Sequence, residues 1–114
     1  MLNLELFEVS LDSGAIIIDF NDKASEISGY KREEVIGKNW FEIFIPNEDM
    51  VEILEVFSNL FYGKNLHWEY TNDIVCKDGK IKTIKWNNKI ILDKNKNHRL
   101  IYSLGTEITS TKNS

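Results

Sequence analysis

The chain has one cysteine and two histidines in 114 residues, and these shortages exclude whole classes of chemistry. A lone thiol, Cys76, forms no internal disulfide and fits a reducing compartment. His67 and Cys76 fall on opposite faces of one predicted strand and His98 in a polar segment, so no tetrahedral metal site converges. His67 reads as a surface residue and Cys76 as a small buried hydrophobe. No apolar run approaches the ~20 residues that span a bilayer. The longest, Ala15 to Ile18 and Ile90 to Leu92, are strand-sized. The N-terminus alternates leucine with polar residues instead of presenting a basic and then apolar leader. These features together predict a cytoplasmic domain that does not itself insert in a membrane.

Clustered positive charge is missing as well. The net charge is -4 and the basic residues are scattered, which argues against a nucleic-acid surface, because that needs grouped Lys and Arg to displace counterions. Lys80, Lys82, Lys85 and Lys89 gather on one predicted strand, where they read as a solvated face that discourages mispairing. There is no glycine-rich phosphate loop, Gly-x-Ser-x-Gly elbow or zinc-binding helix motif. The adjacent acids Glu33-Glu34 and Glu48-Asp49 sit at predicted helix starts, where the helix dipole accounts for them. The domain itself is expected not to be an enzyme.

What is present describes one domain, residues 1–114, large enough to bury roughly two thirds of its unfolded surface. Residues 2–11 alternate Leu2, Leu4 and Leu6 with polar residues before the phase changes near Phe7, predicting a strand with a bulge. Asp12-Ser13-Gly14 is a turn, and Ala15 to Phe20 is a second strand. Asn21 offers a side-chain cap to a helical turn over Lys23 to Ile27. Gly29 and Gly37 then interrupt the chain, each able to take the left-handed conformation that ends a helix. Trp40 to Phe44 is an apolar turn closed by Pro46. Asn47 is the expected cap of one longer helix, with Met50, Ile53, Leu54, Phe57, Leu60 and Phe61 on its apolar face and Gly63 as its stop.

The rest is strand. Leu66 to Lys77 places Leu66, Trp68, Tyr70, Asn72, Ile74 and Cys76 on one face, and the Asp78-Gly79 pair favours a tight hairpin turn. Ile81 to Leu92 returns with Ile84, Trp86, Asn88, Ile90 and Leu92 sharing a face, and Arg99 to Ile108 is the final strand. The fold class is α+β: five antiparallel strands with helices over one face.

In order and spacing, Asn21, Gly29-Tyr30, Glu33 to Lys38, Lys77-Asp78-Gly79, Trp86 and Gly105 to Thr109 resemble the successive landmarks of the PAS (sensory box) domain. The resemblance covers residues 2–109 and leaves 110–114 as the start of a linker. It implies strand order 2-1-5-4-3 and a small cavity beneath the helices. It further implies a sensory role passed to a covalently attached effector, here expected to be a sensor histidine kinase. The signal would leave through Glu107, Ile108 and Thr109, where this chain has Glu107 in place of the family's usual aspartate. Photoactive flavin members carry a cysteine in a Gly-x-Asn-Cys pattern. Trp40 stands at that position here, so adduct chemistry is not expected. Haem-binding members supply an axial histidine from the long helix, and none lies between Asn47 and Tyr62. No cofactor is predicted; a flavin held without a cysteine and an unknown small molecule stay open.

Strand parity points Tyr70, Asn72, Trp86 and Asn88 toward the helices, with Ile43, Phe44, Ile53, Leu54 and Phe57 expected opposite them. A buried amide without a partner costs about 1 to 3 kcal/mol. Either these residues line a small-molecule pocket, or they form a filled core in which the asparagines bond each other or the backbone. Two functions follow. One is a ligand sensor, expected as a homodimer. The other is a ligand-free dimerisation module of a diguanylate cyclase or transcription regulator, served by the Leu2, Leu4, Leu6 stripe.

Overall fold

The first strand, β1 (Phe7–Leu11), turns Phe7, Val9 and Leu11 into the core and is bonded on both sides. The computed structural model describes residues 6–62, 68–93 and 98–108. After β1, Asp12 Oδ1 accepts from the backbone N–H groups of Gly14 and Ile16 at 2.9 and 3.0 Å, the side-chain mimicry of a turn that aspartate favours. The chain returns as β2 (Ile17–Phe20). The irregularity expected near Phe7 lies instead between Ser10 and Leu11, where the pairing with β2 shifts register. Leu2 and Leu4 lie outside the described residues.

Asn21 is the hinge between sheet and helices. Its Oδ1 accepts from Ala24 N at 2.9 Å, capping α1 (Asp22–Ser28), and also from Glu8 N at 3.0 Å. Its Nδ2 donates to the Leu6 carbonyl at 2.8 Å. One amide therefore satisfies a free helix N–H and pins the helix start to β1. Gly29 ends α1 at φ +83°, and Gly37 takes the same value after α2 (Arg32–Val35). These are left-handed positions that cost a Cβ-bearing residue strain. Asn39 caps α3 (Trp40–Phe44), its Oδ1 accepting from Phe41 N at 2.8 Å and Glu42 N at 3.2 Å.

Pro46 ends α3 as expected, but Asn47 does not cap the long helix. It opens a 3-10 turn (Asn47–Asp49), and α4 runs Met50–Phe61 without a side-chain cap bond at its start. The buried face of α4 is Ile53, Val56 and Leu60, with Phe57 half-buried between them. Leu54 is 45% exposed. The apolar stripe is therefore rotated from the one read in the sequence.

The second half forms β3 (Glu69–Val75), β4 (Ile81–Asp93) and β5 (His98–Ile108). Gly79, at φ +87°, supplies the left-handed residue of the β3–β4 turn. The five strands lie in the order β2-β1-β5-β4-β3, every neighbouring pair antiparallel. β1–β2, β3–β4 and β4–β5 pair as sequence neighbours, β2 and β3 form the two edges, and β5 closes the sheet by inserting between β1 and β4. Phe7 sits at the centre of the core and meets Phe20, Trp40 and Trp86 edge-on at centroid distances of 5.6, 6.1 and 5.2 Å. Each such pair contributes about 0.5 to 1.5 kcal/mol beyond area burial. A smaller cluster of Val56, Leu60 and Ile101 lies under α4.

Candidate functional site: a cavity between helices and sheet

Between those two clusters the packing leaves a cavity of about 60 Å³. That is under half of the ~150 Å³ known to admit benzene. The inward faces of β1 (Val9, Leu11), β5 (Ile101, Ser103), β4 (Trp86, Asn88) and β3 (Tyr70, Asn72) form its floor. Trp40 and Phe41 of α3, with Ile53, Val56, Phe57 and Leu60 of α4, form its roof. Parity places the floor, because Tyr70 stands opposite Trp86 and Asn88 opposite Ser103 in the ladders.

The polar groups are few and mostly engaged. Ser103 Oγ donates to Asn88 Oδ1 at 2.7 Å, one strand to the next across the floor. Asn72 Nδ2 donates to the Asp73 carbonyl at 2.9 Å. The Tyr70 hydroxyl donates to Glu52 Oε2, linking β3 to α4 beside the cavity. Burial first, and then the Glu52 carboxylate, push the Tyr70 phenol up to about 12, because both oppose a phenolate there. Buried side-chain polar atoms without a partner are absent among the described residues. The cavity is thus an apolar chamber with one amide–hydroxyl pair on its floor, a composition typical of small-molecule pockets.

Of the residues proposed from sequence, Ile53, Phe57, Tyr70, Asn72, Trp86 and Asn88 meet at this cavity. Three do not. Phe44 is fully buried on the far side of Trp40, stacked on Phe20 at 5.9 Å. Ile43 is half-buried against the main core. Leu54 points to solvent, because the i, i+3, i+4, i+7 set that packs on the sheet is Ile53, Val56, Phe57 and Leu60. The sequence reading missed Trp40 and Phe41, Val56 and Leu60, and the contributions of β1 and β5. Alternation in β1 and β5 carried the signal for Val9, Ile101 and Ser103. Nothing local marked Trp40 as cavity wall.

At the exit of β5, Glu107 and Ile108 are exposed and Thr109 lies outside the described residues. Glu107 Oε1 is 4.0 Å from Lys82 Nζ, which also donates to the Ile27 carbonyl at 2.9 Å. Lys82 therefore touches both the last turn of α1 and the sheet exit. Lys85 and Lys89 are solvent-facing, as read, and Lys89 lies over the Tyr102 ring. Cys76 is buried; its Sγ contacts the Ile27 carbonyl at 3.6 Å, and burial pushes its thiol up. It does not line the cavity. Among the described residues no three His, Cys, Asp or Glu side chains group to hold a metal, and no helix is long and apolar enough to cross a membrane.

Next to the cavity, between the start of α4 and β3, is an open hollow of about 240 Å³ lined by Asp49, Glu52, Ile53, Thr71, Asn72, Asp73 and Thr83. Ile53 and Asn72 belong to both spaces.

Comparison with known proteins gives a consistent result. A family described as PAS domain matches residues 5–110. The PAS domain of the RpfR quorum-sensing receptor from Cronobacter turicensis, solved in complex with BDSF, is similar at 27% identity and a TM-score of 0.74, covering 95% of this chain and 98% of that one. The same domain in complex with C12:0 matches at 26% identity and a TM-score of 0.73, with the same coverage. A PAS domain from Desulfitobacterium hafniense shares the fold at 16% identity and a TM-score of 0.80, covering 92% of this chain and 94% of that one.

Proposed function

The chain belongs to the PAS domain family, and on that premise we propose that it is a sensor whose cavity takes up a small, largely apolar molecule. The observation that carries this reading is the chamber itself: apolar walls over an Asn88–Ser103 pair, roofed by α3 and α4. That the similar RpfR PAS domain was solved in complex with BDSF and with C12:0 supports reading this PAS domain as one that takes a small molecule. At about 60 Å³ the chamber must widen to admit more than a few heavy atoms. The α4 side chains Ile53 and Phe57 are the natural ones to yield, since they belong to one helix and not to the bonded sheet.

Occupancy would be read at Glu107 and Ile108 through β4 and β5, the strands that carry Trp86, Asn88 and Ser103. We assign catalysis to an attached effector, a histidine kinase on the family resemblance alone, in a cytoplasmic homodimer. Haem and cysteinyl flavin do not enter this proposal, because α4 carries no histidine and Trp40 fills the cysteine position.

A second reading, dimerisation, is favoured by one observation. Ile81 and Ile108, 53% and 39% exposed, lie near each other on the outer sheet face at the β5 exit.

The direct test is a thermal-shift screen of small apolar compounds, with native mass spectrometry of the purified protein. A ligand at a hundredfold its Kd stabilises by about 2.7 kcal/mol, and Asn88→Leu should weaken that response. Absence of any shift or retained mass would overturn the sensor reading.

A further inference from the structure

We infer that the Tyr70–Glu52 hydrogen bond is a latch that holds α4 down on the empty chamber and opens when the chamber fills; this rests on reading the cavity as a ligand site. Tyr70 has the position for it, since it lines the cavity while its hydroxyl reaches Glu52 on α4. Its backbone is fixed in β3, paired opposite Trp86 of β4, so the bond survives only while α4 keeps its place. Phe57 and Tyr70 each pack against both core clusters, one from the helix and one from the sheet. A guest in the chamber between those clusters therefore bears on both sides of the latch.

The helix is the side that gives. The floor is held by antiparallel ladders and by the Trp86 ring, set against Phe7 and Trp40 at centroid distances of 5.2 and 5.7 Å. By contrast, α4 starts without a side-chain cap bond, and the 3-10 turn before it has none either. Among the described residues two polar ties join α4 to the sheet: Glu52 to Tyr70 near its start, and the Phe61 carbonyl to Arg99 Nη1, at 3.3 Å, at its end. The chamber of about 60 Å³ is too small for a six-carbon guest, given that ~150 Å³ admits benzene. Seating one lifts the start of α4, and a displacement of about an ångström takes a hydrogen bond out of its working range. Glu52 is exposed, so water replaces the phenol at its carboxylate and the bond opens at modest cost. Without a guest the latched state dominates, and the apparent affinity is reduced by the small fraction that is open. Removing the latch raises affinity, the reverse of what losing a ligand contact does.

The test follows hexanol binding by tryptophan fluorescence, since Trp40 and Trp86 line the cavity. Tyr70→Phe keeps the ring and deletes the hydroxyl, while Glu52→Ala deletes the acceptor. Each should bind hexanol about threefold to tenfold more tightly than the parent and with faster association. The double variant should bind no more tightly than either single one, because they share one bond. Glu52→Gln keeps an acceptor oxygen and should fall between the parent and Glu52→Ala. In the parent, hydrogen exchange should show α4 amides losing protection when hexanol binds. Asn21→Ala, which loosens the domain away from α4, should leave hexanol affinity unchanged. Equal or weaker binding by Tyr70→Phe, additive gains in the double variant, unchanged α4 protection, or a gain in Asn21→Ala as large as that in Tyr70→Phe would each overturn the latch and leave the ligand site standing. No hexanol response in the parent or in any variant would overturn the latch together with the ligand-site reading.

Discussion

Gly105 gives the sharpest test of how the cavity floor is held in place. It lies in β5 opposite Phe7 on one side and Trp86 on the other. A Cβ built there would come within 2.6 Å of Ile84 Cγ2, 2.6 Å of Trp86 Cζ3 and 2.8 Å of Trp86 Cε3. The missing side chain is the space into which the Trp86 ring folds, and the ring in turn meets Phe7 at 5.2 Å and Trp40 at 5.7 Å. Gly105→Ala therefore forces a rigid ring and a branched side chain apart in a dense core, an overpacking cost of about 1 to 3 kcal/mol. Against this stands the loss of glycine's unfolded-state entropy, which favours alanine by about 0.4 to 1 kcal/mol where the backbone permits it. The net expectation is a loss of about 1 to 2 kcal/mol, or roughly 4 to 15 °C in Tm for a domain of this size. Thermal and urea unfolding of Gly105→Ala, Trp86→Leu and the double variant would measure it. The pair should show favourable coupling, with alanine costing less once the ring is gone, although Ile84 keeps the relief partial. A Gly105→Ala protein as stable as the parent, or a coupling near zero, would refute the account of Trp86 as a ring seated on a bare backbone.

Other expectations follow from the same structure. Asn21→Ala removes a helix cap and the links to Glu8 of β1 and to Leu6 just before it, and should cost about 2 kcal/mol or somewhat more, readable as a fall in the urea midpoint. Val56→Lys should unfold or strongly destabilise the domain, whereas Leu54→Lys should be nearly neutral; the reverse ranking by circular dichroism would mean that α4 is rotated from the position described. Tyr70 in the folded chain holds its proton up to about 12 against an ordinary value of 10.0. Its contribution to stability should be intact below pH 10 and decline as pH rises toward 12, because the folded state then binds the extra proton. Tyr70→Phe should flatten that alkaline decline in unfolding experiments, and an unchanged slope would count against the bond to Glu52.

Local rules carried much of this fold. The Asn21 cap, the left-handed stops at Gly29 and Gly37 and the Asp78-Gly79 turn depend on one or two residues and their own backbone, so they were legible before any tertiary contact was known. Strand parity likewise put Tyr70, Asn72, Trp86 and Asn88 on the face that meets the helices. Reading failed where neighbours in space decide. Asn47 has a capping side chain, but the chain behind Pro46 winds as a 3-10 turn and α4 starts later. Leu54 and Val56 have similar hydropathy, and only the docking angle of α4 on β4 and β5 buries one and exposes the other. Phe44 looked like cavity roof from its place beside Ile43, yet the Trp40 ring lies between it and the chamber.

By itself, then, the sequence determined the order of elements, the turns and the two faces of the later strands, since those depend on side-chain period and on residues that permit or forbid particular dihedrals. Only the tertiary structure decided that space is left over. A cavity is the difference between the volume enclosed by docked layers and the volume of the side chains that fill it. That difference depends on helix rotation and ring orientation, and neither is encoded at any single position.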